Sequence, residues 1–216
     1  MNFIDKLLGR EKGKKMRQLS HVKDLRVQDV VVFSDSFALP KLLRQASFEI
    51  SKVNTYQFEH YTSVEYVLLG QTDKQVYLSY SSDDEERLNI SQKINRAEVE
   101  QIFEMESFAD IFETDSKTEL ELKAEPEAFT NWLSALYFQV AWGERGYFYN
   151  QDFRPGKPPA EEDENSLPLD YFCLTSADEA YSVELEVWQD GETDVLLTLH
   201  RPMHDIIDLL PGELDE

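Results

Sequence analysis

Cysteine is nearly missing from this chain of 216 residues. Cys173 stands alone, so no intramolecular disulfide can form and no thiolate cluster can hold a metal. It lies in the apolar run Tyr171 to Leu174, where apolar neighbours raise a thiol pKa and suppress nucleophilic work. Long hydrophobic runs are missing too. None approaches the roughly 18–20 apolar residues of a membrane span, and the N-terminus lacks the apolar core and small-residue cleavage site of a signal peptide. These absences predict a cytoplasmic protein. Glycine is sparse, and its eight residues are scattered. They build no phosphate loop, dinucleotide fingerprint or Gly-x-Ser-x-Gly elbow. The sequence therefore assigns no catalytic residue, no cofactor and no metal site.

Positive charge is scarce outside one segment. The chain carries a formal −22, yet residues 1–26 hold eight Lys or Arg against three acids, a balance of +5, so the remainder carries −27. A body this acidic repels phosphates, and no nucleic-acid partner is expected. Within the arm, Phe3, Ile4, Leu7 and Leu8 recur at helical spacing, and Lys12, Lys14, Lys15 and Arg17 follow. A short amphipathic helix of this kind needs a surface to fold against, because a helix of two turns is unstable alone. An anionic membrane would suit it, with the apolar four entering the interface and the basic four meeting headgroups.

What is abundant is apolar and aromatic content, 41% and 12%, enough to bury a core. The patterning is that of strands. Val27–Phe33, Phe48–Val53, Val64–Leu69, Val76–Tyr80 and Leu88–Ile90 read as extended segments separated by polar turns, and Arg96–Phe103 as a helix. In the second half Thr118–Lys123 alternates as a strand. Phe129, Trp132, Leu133, Leu136, Tyr137 and Val140 recur at three- and four-residue steps, which predicts a helix over 127–140. Val183–Val187 and Val195–Leu199 flank Asp190-Gly191, which predicts a hairpin turned by a positive-φ pair. Pro202 then opens a predicted short helix carrying Ile206, Ile207, Leu209 and Leu210. A weak internal echo relates Glu65–Ile90 to Asp170–Leu199. The expected fold is mainly β (α+β): antiparallel meanders in two similar β-lobes with a few short peripheral helices. The expected organisation is a basic arm at 1–24, a first lobe at 25–114 and a second at 115–216, which can pack as one domain.

Chemistry has few places to reside. His200 and His204 stand four apart, but Pro202 between them argues against shared metal ligation. His60, between Glu59 and Tyr61, reads as surface. Asp83-Asp84 and Asp190 with Asp194 lack calcium-loop spacing and read as solvated turns. The aromatic tract Trp142, Tyr147, Phe148, Tyr149 and Phe153 is either core or a recognition surface.

Tyr56, Glu65-Tyr66, Tyr77-Leu78-Ser79, the tract Trp142–Asp152, Asp170-Tyr171, Glu184, Trp188-Gln189-Asp190-Gly191, Arg201-Pro202 and Ile206 together resemble a family of bacterial β-rich domains of unknown function. These domains are encoded beside phage-shock-protein-A-like membrane-stress proteins. The resemblance covers nearly everything after residue 25 and carries over no catalytic residues. With the charge split, it implies a non-enzymatic adaptor of an envelope-stress module, peripheral at the inner membrane, with a phage-shock-protein-A-like partner. Trp142, Tyr147, Tyr149 and Tyr171 are the candidates for a partner or ligand surface. A second reading is a small-molecule-binding protein or enzyme with a pocket between the lobes, lined by Tyr147, Tyr149 and Tyr171. A third is an acidic decoy for a nucleic-acid-binding partner.

Overall fold

The computed structural model describes residues 17–70, 74–82, 85–113, 117–154, 156–159 and 163–212. The proposed membrane contacts Phe3, Ile4, Leu7, Leu8, Lys12, Lys14 and Lys15, and the turn Asp83-Asp84, lie outside these residues.

The chain is mainly β and antiparallel. After β1 (Val30–Phe33) comes a meander of β2 (Ser47–Phe58), β3 (Thr62–Leu69), β4 (Val76–Ser81) and β5 (Arg87–Ile94). Two short helices, α1 (Arg96–Ile102) and α2 (Met105–Ala109), and β6 (Glu119–Glu121) lead to a second meander. Its strands are β7 (Leu136–Tyr149), β8 (Leu167–Ser176), β9 (Tyr181–Trp188) and β10 (Thr193–Pro202), and β11 (Ile206–Leu210) follows. The two meanders close one eight-stranded barrel. One seam is β5 against β10, from Arg87↔Pro202 to Ile94↔Val195. The other is the second half of β2 against the end of β7, from Thr55↔Tyr149 to Phe58↔Gly146. The first half of β2 instead pairs with β1, and β1 with β11. The echo in the sequence corresponds to β3–β5 and β8–β10, equivalent strands of the two halves. The two expected lobes thus contribute the two halves of a single closed sheet.

Strand alternation sorts side chains to two faces. Val76, Leu78, Leu88, Ile90, Val183, Leu185, Leu197 and Leu199 point outward, each at most 1% exposed. They form one core with Val22, Leu25, Leu39 and Leu43 of the N-terminal segment, Val99, Ile102, Phe103 and Phe108 of the helical region, and Trp132. The apolar face of the barrel is therefore its outer face, covered by the segments that wrap it. A bulge at Ser51 in β2 keeps Ile50 and Val53 both on that face, where uninterrupted alternation would separate them.

Two helix expectations are corrected. Residues 127–140 are a short 3-10 turn, Glu127–Phe129, followed by the beginning of β7. Asn131 has a φ of 65°, which breaks helical continuation, and its amide donates to the carbonyls of Phe37 and Leu39. The three- and four-residue spacing arises because Phe129, Trp132 and Leu133 anchor a loop in the core before strand alternation starts at Leu136. After Pro202, a 3-10 turn, Met203–Asp205, gives way to β11, because the open edge of β1 offers backbone partners that a short helix would forgo. The hairpin of β9 and β10 forms as expected, but of its turn pair Gly191 alone has positive φ, 86°.

Candidate functional site: the barrel lumen

The inward residues are largely polar. One cavity of about 860 Å³ is lined from all eight barrel strands, including Phe58, Ser63, Ser79, Asn89, Tyr171, Ser182 and Phe138. A second of about 510 Å³ opens at the other end, lined by Asn54, Lys52, Lys93, Phe148, Trp188 and Asp194 among others. Both volumes lie within the roughly 300–1,000 Å³ of small-molecule sites. The two chambers share Tyr56, Glu65, Tyr77, Glu186 and Leu196, which form a waist between them.

Strand register explains the waist. Asn54 stands opposite Glu65 across β2 and β3, and its Nδ2 donates to Glu65 Oε1 at 2.8 Å. Glu186 faces them from β9, and the Tyr56 hydroxyl bonds to its carboxyl. Burial pushes Glu65 up to about 7 and Glu186 up to about 8, and the negative charges of neighbouring carboxylates add to the rise. Burial and the same acids raise Tyr56 and Tyr77, so both stay protonated hydrogen-bond donors at neutral pH. The Asn54 Oδ1 has no hydrogen-bond partner among the described residues, though Asn54 is only 5% exposed and lines the lower chamber.

A hydrogen-bonded chain runs along the wall of the larger, upper chamber across the neighbouring strands β5, β10, β9 and β8. His200 Nδ1 meets Asn89 Oδ1 at 2.9 Å, its Nε2 meets Ser182 Oγ at 2.6 Å, and Ser182 Oγ meets Thr175 Oγ1 at 3.2 Å. Burial lowers the His200 pKa, favouring a neutral ring that donates from Nδ1 to Asn89 and accepts from Ser182 at Nε2. This connectivity matches an activated serine. An acyl-transfer site also needs N–H donors aimed at an oxyanion. Ser182 instead sits inside β9, paired with Thr175 on one side and Thr198 on the other, where ladder bonds use the backbone N–H groups. The chain orders the lumen wall.

Of the partner or ligand candidates Trp142, Tyr147, Tyr149 and Tyr171, Tyr171 alone lines the lumen, where His200 and Cys173 join it. Tyr149 is buried in β7, and its single hydroxyl hydrogen has two acceptors within reach, Gln57 Oε1 at 3.2 Å and the Pro159 carbonyl at 3.4 Å. Tyr147 lies beside the Arg145 guanidinium, 5.8 Å from its ring centre. Trp142 is half-exposed on the outer face. Arg17 is ion-paired with buried Asp29 and donates to the Asp24 carbonyl. His60 is exposed, and His204 lies outside the lumen that holds His200. Burial pushes the Cys173 thiol up to about 12, as its apolar run implies. Asn54, Tyr77, Glu184 and Glu186 read from sequence as ordinary strand residues, and only closure of the barrel turns them toward one another.

No group of His, Cys, Asp or Glu among the described residues is arranged to hold a metal ion. No helix among them is long and apolar enough to cross a membrane. No protein-family model, curated protein or solved structure matches the chain.

Proposed function

We propose that the protein binds a small molecule inside its barrel. The observation that carries this reading is the lumen itself. Eight strands turn polar and titratable side chains toward one two-chambered space, while their apolar face is packed outward. Buried carboxyls raise the energy of the empty state, because desolvation penalises them without full compensation. Eight-stranded barrels either fill their interior with side chains or hold one small ligand there. A lumen kept polar and open is costly unless something occupies it.

Thermal shift against a library of organic acids, sugars, nucleosides and amines tests the reading. Saturable stabilisation is expected for the wild type and not for Ser79→Trp, which fills the upper chamber. A flat response across the library would remove the lumen as a ligand site, and equal responses from both proteins would remove its upper chamber.

A second reading is the adaptor at an anionic membrane with a phage-shock-protein-A-like partner. One structural observation favours a partner surface: Trp142 is 49% and Phe112 43% exposed, and both adjoin Phe172 on the outer wall. Flotation with anionic vesicles, comparing the wild type with Lys12, Lys14 and Lys15 all changed to Glu, tests the membrane contact. Equal recovery of the two proteins would end it.

A further inference from the structure

Resting on the small-molecule reading, we infer that the ligand is a small organic cation, an amine or diamine, held at the waist between Glu65 and Glu186 with the Asn54 carbonyl as an additional acceptor. The waist is an acceptor-rich place. Glu65 projects from β3 and Glu186 from β9, on different walls of the lumen, and Glu184 stands one inward position further along β9. Asn54 uses its N–H on Glu65 and leaves Oδ1 buried with no donor among the described residues. An unmatched buried acceptor carries a desolvation penalty, which a ligand N–H directed at it relieves.

The surrounding charges favour a cationic guest. Besides burial, the groups that most affect Glu65 and Glu186 are carboxyls, Asn54 and Tyr56. Among the described lining residues, Lys93 is tied to Asp194 at 2.6 Å and Arg87 to Glu179 at 3.4 Å, both at the mouths. Lys52 stands exposed at the rim of the lower chamber. An ammonium entering the waist would meet carboxylates that no lysine or arginine neutralises. The tyrosine walls suit the same guest, because aromatic faces attract cations and accommodate methylenes. A divalent metal fits less well: the carboxyls come from separate walls and make no ligand cluster. An anion would face the acids directly.

The test uses the full chain, with calorimetry and thermal shift at about pH 8.5, where an alkylamine remains protonated. The probes are 1,4-diaminobutane, n-butylamine, the neutral isostere 1,4-butanediol, and calcium or magnesium chloride. Saturable binding of the amines and none of the diol is expected. Glu186→Gln should weaken amine binding about tenfold or more, since it removes one partner of a buried charge pair. Asn54→Leu should weaken it less, while the exterior variant Glu121→Gln should match the wild type. Amine responses that are equal in wild type, Glu186→Gln and Ser79→Trp would show diffuse attraction to an acidic surface and overturn the inference. Metal binding at the waist without amine binding would overturn it as well. Saturable binding of the diol or another neutral compound, lost in Ser79→Trp, would overturn the cation while leaving the lumen as a ligand site. Silence from every probe and from the wider library would remove both.

Discussion

Phe58 lies directly across the β2–β7 seam from Gly146, and a Cβ on that glycine would stand 2.6 Å from the Phe58 ring. The ring has little room to retreat, with Tyr61 stacked at 4.7 Å on it and Tyr171 edge-on at 5.6 Å. The seam closes the barrel because glycine lets an aromatic side chain lie over the neighbouring strand. Gly146→Ala is expected to cost about 1–3 kcal/mol by overpacking. Urea unfolding measures it, and Phe58→Leu in the same chain should recover part of the loss. An unchanged midpoint would show that the seam tolerates a methyl group there.

The waist carboxyls make stability depend on pH in a definite direction. Glu65 at about 7 and Glu186 at about 8 are raised from 4.5. Below about 4.5 folded and unfolded chains are both protonated at these sites. As pH rises from there to about 8, the unfolded chain releases protons that the folded chain retains, so stability falls across that window. At about 1.4 kcal/mol per pH unit, rises from 4.5 to about 7 and about 8 set an upper bound of about 8 kcal/mol on the decline from these two groups. Glu186→Gln should flatten the slope and raise the melting temperature at pH 8 relative to wild type. A variant with the wild-type slope would contradict the assignment.

Arg154 joins the long loop after β7 to the N-terminal segment. It donates to the carbonyls of Lys23 at 2.6 Å and Leu25 at 2.5 Å, to the Tyr66 hydroxyl at 2.7 Å and to Asp152. Its guanidinium also lies 5.2 Å from the Tyr66 ring centre. Lysine offers no planar fork for so many acceptors. Arg154→Lys should therefore lose about 1–3 kcal/mol, seen as a lower urea midpoint. Proteolysis near residues 17–25 should also accelerate. A neutral result would place the clamp among surface contacts.

Cys173 provides a probe of the upper chamber, whose wall it lines. With the thiol near 12 and the residue 9% exposed, a disulfide reagent at neutral pH should react far more slowly with folded protein than with urea-unfolded protein. Fast labelling of the folded chain would mean that the upper chamber opens readily.

Local patterns carried much of this fold. The β9–β10 hairpin was readable because Val183, Leu185 and Val187 alternate up to a turn containing Gly191. The first residues of β7 carry a helical pattern because a loop anchored by Phe129, Trp132 and Leu133 mimics helical spacing. Residues 206–210 carry no local signal for a strand, because their structure depends on β1, far away in sequence. The candidate site was hidden for a related reason. Alternation of Glu184 and Glu186 with valine and leucine separates two faces of a strand, but does not say which faces water. That is decided by the non-local pairings of β2 with β7 and β5 with β10.

The outward placement of the apolar core separates two tasks that most small barrels combine. Adhesion between the wrapping segments and the outer wall supplies the cohesion of the fold, so lumen residues can be exchanged for others of similar size without dismantling it. Such a chain could diversify what it recognises by altering its inner lining while its outer shell stays fixed.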